Sequence, residues 1–237
     1  MLMGVPMIIL IIGGVGSGKS VYAVKEMKDR GYKTFCNFDC KLKNAVRLKE
    51  EHIIHKVKKG EKRNGDIIYQ DEVNYDFWEK MQQKGEPFDI IIDEVHNVLH
   101  SRRSMSSWNT NFSKWLAQIR KVLGSSEKNH LYLISQRLNA IDISARELCH
   151  QIIALRKVMS NPITKTVVRE MGRKKTKMLP SVYILKFYFS GEDAINAYEA
   201  FKNGIKSYSV RSAFVANPYF QYYDSYSMVR FGAGVYV

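Results

Sequence analysis

The apolar residues of this chain fall into short blocks of two kinds. "MIILII" (7–12), "FDIIID" (88–93), "HLYLISQ" (130–136) and "QIIALRKV" (151–158) are nearly unbroken apolar runs, rich in Ile and too short for helices. That is the pattern of strands buried on both faces. "KTFCNFD" (33–39) reads as another strand. Between them lie stretches of helical character. "KSVYAVKEMKDRG" (19–31) predicts a helix stopped at Gly31, and "VNYDFWEKMQQKG" (73–85) one ending at Gly85. In "NTNFSKWLAQIRKVLG" (109–124), Phe112, Trp115, Leu116, Ile119 and Val122–Leu123 recur at helical spacing. "DISARELCH" (142–150) predicts a short helix capped by Asp142 or Ser144. The charged segment 42–63 is expected to be partly helical and to end in a solvated basic stretch, Lys56 to Arg63. "DIIYQD" (66–71) fits a short strand or an edge, and residues 94–107 a helix or loop.

Strands alternating with helices predict an α/β fold with a mostly parallel central sheet flanked by helices. The alternation stops near residue 158. Residues 164–189 read as a hairpin with a basic tip at Arg173, Lys174, Lys175 and Lys177. "GEDAINAYEAFKNG" (191–204) reads as a helix closed by Gly204, and an aromatic stretch of weak periodicity follows from Lys206. The expected organisation is a core, 1–158, and a C-terminal hairpin-and-helix extension, 159–237, packed on it.

Charge and composition narrow the class. The formal charge is +14, which favours a polyanionic partner, nucleic acid or an anionic membrane face, over a basic protein that is merely soluble. No apolar run approaches the roughly 18–20 residues of a membrane span, and Met7–Ile12 lacks the flanks of a signal peptide. Three cysteines, Cys36, Cys40 and Cys149, make no disulfide framework. An intracellular setting is the expectation.

The chemistry begins after the first strand. "GGVGSGKS" (13–20) carries the spacing Gly13-x-x-x-x-Gly18-Lys19-Ser20 of a phosphate-binding loop. Gly13, Gly14, Val15, Gly16, Ser17 and Gly18 supply backbone N–H groups that turn inward on a phosphate. The helix beginning at Lys19, with Val21 in its first turn, adds the positive end of its dipole. Lys19 suits the β- and γ-phosphates of ATP, and Ser20 offers a hydroxyl to Mg²⁺. About 70 residues on, "DIIID" delivers Asp93 and then Glu94 at a strand end. A carboxylate ending the strand beside the loop strand suits Mg²⁺, and the adjacent Glu94 suits activation of the attacking water. Gln136 ends "LYLISQ" and is either a sensor of the γ-phosphate or an ordinary polar strand end.

Taken in order, "GGVGSGKS", "FDIIIDEVHNVLHSRRSMS", "FSKWLAQIRK", "LYLISQ" and "DISARELCHQIIALRK" resemble the FtsK–HerA branch of P-loop ATPases over about residues 5–158. Two subgroups are most similar: viral genome-packaging ATPases and the zonula occludens toxin-like assembly ATPases of filamentous phages. The resemblance implies a RecA-like P-loop NTPase core, ATP and Mg²⁺ as cofactors, and ATP hydrolysis. It also implies a ring-shaped homo-oligomer, usually hexameric, and movement of DNA. Lys19, Glu94 and Gln136 would then be catalytic, with Ser20 and Asp93 on the metal. Such rings complete each site with a neighbour's arginine. Arg146 is the preferred candidate, ahead of Arg120, Arg137 and the Arg102–Arg103 pair.

Toxin-like members usually carry a membrane span after the ATPase domain, and none is seen here. The expectation is therefore a packaging motor in the host cytoplasm, associated with the virion and partnered by DNA and a capsid or membrane protein. The assembly or secretion ATPase is the alternative, and a small-molecule kinase is a third reading, disfavoured by the absence of a clear lid. Arg173–Lys177 and Lys56–Arg63 are candidates for DNA phosphate contact or are solvated loops. Tyr219, Tyr222, Tyr223 and Tyr226 suit packing better than base stacking. Cys36-x3-Cys40 with His52-x2-His55 has the wrong spacing for a zinc finger, and His96 and His100 fit a helix surface.

Overall fold

A computed structural model describes residues 6–98, 107–159, 182–191 and 193–223. The first half of the chain contributes β1 (Met7–Ile12), α1 (Lys19–Arg30), β2 (Lys33–Cys36), β3 (Ala45–Arg47), β4 (Ile54–Glu61), β5 (Ile67–Val73), α2 (Tyr75–Gln83), β6 (Phe88–Ile92) and α3 (Val95–Val98). Then come α4 (Ser107–Ala117), α5 (Ile119–Leu123), β7 (His130–Ser135), α6 (Ile143–Glu147), β8 (Gln151–Met159), β9 (Val182–Ser190), α7 (Ala194–Lys202) and β10 (Val210–Val215). A 3-10 helix, Asn217–Tyr222, ends the described chain.

Eight strands form one sheet in the order β10-β9-β8-β1-β7-β6-β2-β3. From β8 to β3 every pairing is parallel, while β9 and β10 are antiparallel. This is an α/β fold with a mostly parallel central sheet, and it explains the unbroken apolar runs. Ile8, Leu10 and Ile12 of β1 face one core, with Trp78, Trp115 and Leu123 of the helices. Ile9 and Ile11 face the other, under Val21, Val24 and Met27 of α1. Trp78 and Trp115 are fully buried, and truncating such a side chain costs about 3–5 kcal/mol. α1 stops where Gly31 donates its N–H to the Met27 carbonyl, with Lys28 and Arg30 in the last turn. Arg30 also bonds the buried Asp89 at 2.7 Å, tying the end of α1 to β6.

Three expectations need correction. The strand carrying Asp93 does not lie beside β1, because β7 is inserted between β6 and β1. Segment 42–63 is mainly extended: apart from a 3-10 turn at Glu50–His52, it supplies β3 and then β4, which pairs with β5 in a separate hairpin. Val57 and the Ile53–Ile54 pair are β-branched, and Gly65 makes the turn at φ 87°, so cross-strand pairing prevails over helical propensity there. Its basic residues are partly compensated, with Lys59 meeting Glu72 at 2.6 Å and Lys62 facing Asp66 at 3.9 Å. The aromatic stretch after Lys206 contains β10, which pairs antiparallel with β9 from Val210–Tyr188 to Val215–Tyr183. β9 and β10 thus continue the central sheet itself. β9 pairs with β8 through Met159–Val182, and the basic tip between them lies outside the described residues, as do Arg102 and Arg103. No described helix is long and apolar enough to cross a membrane.

Candidate nucleotide site

The parallel register brings four strand ends to one edge: Ile12 of β1, Asn37 just after β2, Asp93 just after β6 and Ser135–Gln136 at β7. The glycine loop leaves β1 there and closes on α1. Gly18 holds φ 93°, and a Cβ on it would overlap Ile184 of β9; only glycine fits that turn beneath the strand. At Gly13 a Cβ would meet Ser17 Oγ and stand 2.9 Å from the Leu155 carbonyl. Ser17 donates its N–H to Gly14 O at 3.1 Å, and Val15 at the loop's crest is exposed.

Lys19 is buried, and its Nζ donates to the carbonyls of Gly13 at 2.8 Å and Gly14 at 3.1 Å. Burial lowers its pKa; the nearby carboxylates of Asp93 and Glu94 work against that shift. Ser20 Oγ donates to Asp93 Oδ2 at 2.7 Å. Burial raises the Asp93 pKa, with the Ser20 hydrogen bond opposing it. These two oxygens, side by side at the head of α1, form a hard donor set that fits Mg²⁺.

Glu94 is the one non-glycine residue of positive φ among the described residues, at 52°. The left-handed turn between β6 and α3 swings its side chain across the strand ends, at a cost of about 1–2 kcal/mol. Two side chains receive it. Gln136 Nε2 donates to Glu94 Oε1 at 3.2 Å and reaches Oε2 at 3.4 Å. His96 Nε2 lies 3.1 Å from Glu94 Oε2, and its Nδ1 is 3.3 Å from Ser135 Oγ. His96 is therefore part of the site and not an ordinary helix-surface residue.

Asn37 was not singled out from the sequence, where nothing distinguishes a polar residue at a strand end. It is fully buried and clamps Asp93 twice: Oδ1 accepts the Asp93 N–H at 2.7 Å, and Nδ2 donates to the Asp93 carbonyl at 2.9 Å. Lys157 of β8 was also missed, and it lines the same cavity as the loop. That cavity, of about 560 Å³, is bounded by Gly16, Gly18, Lys19, Ser20, Glu94 and Gln136 on its polar side. Val21 closes it beside α1.

The other candidates are scattered. Arg146 sits on α6, half-buried, and does not line this cavity. Arg120 and Arg137 are exposed. Cys36 is buried in β2 with its thiol donating to the Phe38 carbonyl, and burial pushes its pKa up to about 12. His52 stacks on Phe77 at 4.4 Å.

A family model described as zonular occludens toxin (Zot) matches residues 7–228. No curated protein matches the chain. Among solved structures, the N-terminal domain of zonular occludens toxin from Neisseria meningitidis is 15% identical. That match covers 93% of this chain and 100% of that one, with a TM-score of 0.48. B204, the DNA-packaging ATPase from Sulfolobus Turreted Icosahedral Virus, is 16% identical over 92% of this chain and 96% of that one, with a TM-score of 0.41.

Proposed function

The chain belongs to the zonular occludens toxin family, and from that premise we propose that it is a Mg²⁺-dependent ATPase whose turnover moves DNA during virus assembly. The observation that carries the reading is the meeting of Lys19, Ser20, Glu94 and Gln136 on one cavity, with Asp93 bonded to Ser20. The loop N–H groups and the N-terminus of α1 hold the triphosphate. Lys19 exchanges its loop carbonyls for β- and γ-oxygens, and Ser20 with Asp93 would hold the metal. When bound, Mg²⁺ neutralises charge on the β- and γ-phosphates. Glu94 accepts a proton from water as its oxygen attacks the γ-phosphorus and the bond to the β-phosphate oxygen breaks. Gln136 holds the Glu94 carboxylate and orients that water.

Arg146 lies off its own chain's cavity, which suits a residue serving a neighbour's site in a ring. The DNA partner is supported by the charge of +14. Packaging into a capsid and export during phage assembly both fall under this reading. Family membership favours assembly and export, acting from the host cytoplasm on a membrane or virion partner. The test is ATP turnover with and without single- and double-stranded DNA, alongside mass in ATP. DNA-stimulated phosphate release by an oligomer, abolished in Glu94→Gln with ATP binding retained, is expected. Full turnover by a monomer indifferent to DNA, or by the Glu94→Gln variant, overturns the reading.

A further inference from the structure

The cavity that holds the loop also has apolar walls. Besides Glu94 and Gln136 it is lined by Val182 and Ile184 of β9 and by Phe220 and Tyr223 at the end of the described chain. We propose that Phe220 is the stacking platform for the base of the bound nucleoside triphosphate. This inference rests on the nucleotide site proposed above and adds its nucleoside half.

The 3-10 helix Asn217–Tyr222 is firmly anchored. Ala216 donates its N–H to the Val182 carbonyl at 2.7 Å, and Asn217 Oδ1 accepts the Val182 N–H at 2.8 Å. Lys41 donates its N–H to the Tyr222 carbonyl at 2.9 Å. Three tyrosines turn into the protein. Tyr219 packs edge-on against Phe214 at 5.8 Å, and Tyr223 against Phe38 at 5.7 Å. The Lys28 ammonium lies 4.8 Å from the Tyr222 ring centre. Phe220 alone in this group has no ring or cation contact among the described residues. It is 43% exposed and faces the cavity. An anchored aromatic ring with an open face is what a planar base stacks on.

The loop chemistry leaves the apolar lining for the base. Triphosphate oxygens held at Gly18–Ser20, with the γ-phosphate toward Glu94 and Gln136, direct the remaining nucleoside away from those two residues. The volume of about 560 Å³ suits a whole nucleotide. A larger cavity, about 820 Å³, lies beside the loop near Phe201 and Tyr208. It touches the loop only from Ile12 to Ser17 and meets none of Lys19, Ser20, Glu94 or Gln136. A contact with the π-face does not read the base edge, so ATP and GTP should bind alike.

The test is calorimetric titration of the full chain with Mg-ATP, Mg-GTP and inorganic tripolyphosphate. Phe220→Ala and Phe220→Leu should each lose about tenfold in ATP affinity while tripolyphosphate binds as in the wild type. Leu keeps the apolar bulk and loses only the ring. Phe220→Trp should restore ATP affinity and add fluorescence that ATP quenches and tripolyphosphate does not. Unchanged ATP affinity in Phe220→Leu overturns the proposal, as does ATP loss in Tyr208→Ala with none in Phe220→Ala. If the wild type binds tripolyphosphate and ATP equally, the stacking platform falls while the phosphate loop stands. If it binds neither, both fall.

Discussion

Asn37→Ala is the substitution that most directly probes how the site is held. Asn37 makes no contact with the phosphate loop in the hydrogen-bond network; it pairs both backbone groups of Asp93, at 2.7 and 2.9 Å. Removing its amide leaves a buried N–H and a buried carbonyl unpaired, at about 1–3 kcal/mol each. The expected loss is roughly 2–6 kcal/mol, a large share of the 5–15 kcal/mol typical of a domain. The functional loss should exceed what unfolding explains. Asp93 is seated so that its carboxylate meets Ser20 at 2.7 Å and the next residue turns at φ 52°. Without the clamp, Glu94 can relax to a negative φ and swing off Gln136. Urea unfolding gives the stability, and steady-state kinetics on the folded fraction gives kcat and KM for ATP. We expect kcat to fall at least tenfold with a smaller change in KM. Asn37→Asp keeps the acceptor but sets a carboxylate against the Asp93 carbonyl, and should be at least as damaging. A loss under about 0.5 kcal/mol with kcat within twofold of wild type would refute the reasoning.

Three further outcomes follow from particular residues. His96→Ala removes a partner of Glu94 at 3.1 Å; hydrogen bonds to charged groups are worth about 1.5–3 kcal/mol, so kcat should drop roughly ten- to hundredfold with ATP binding intact, and an unchanged kcat would remove His96 from the site. His150 Nδ1 accepts the Ile8 N–H at 3.1 Å, and burial followed by the charge of Arg120 lowers its pKa. The neutral form is thus favoured in the fold, the unfolded chain takes up protons first, and stability should fall as pH drops through the ordinary histidine range near 6.5 toward the depressed folded value. His52 and His130, also lowered by burial, add in the same direction, so His150→Gln should reduce the slope of urea midpoint against pH; an identical slope counts against the assignment. Replacing Arg173, Lys174, Lys175 and Lys177 by Ala should flatten the logarithmic salt dependence of DNA affinity by about 3–4, if each neutralises one phosphate; an unchanged slope places the DNA contact elsewhere.

Local signals reach as far as one strand and its adjoining turn. "GGVGSGKS" after a buried strand specified the loop because its glycines, Lys19 and Ser20 act through their own backbone and immediate neighbours. Asp93 and Glu94 stood out as paired acids ending an apolar run. β10 was not legible, because its exposed face carries Arg211, Ala213 and Val215 and its strand character comes from pairing with β9. Segment 42–63 misled for the same reason: charge suggested partial helix ending in a solvated basic stretch, while cross-strand partners drew its second half into a hairpin.

What the sequence by itself determined is the parallel α/β pattern, the phosphate loop and the candidate acids, all encoded in contiguous residues. What only the tertiary structure decided is which strand ends meet. Inserting β7 between β1 and β6 brings Gln136 and Ser135 against the Glu94–His96 turn, and pairing β2 with β6 brings Asn37 onto Asp93. The return of β9 and the last 3-10 helix brings Ile184 and Phe220 to the loop from residues far along the chain. Strand order is set by long-range burial of two sheet faces, and no local period records it.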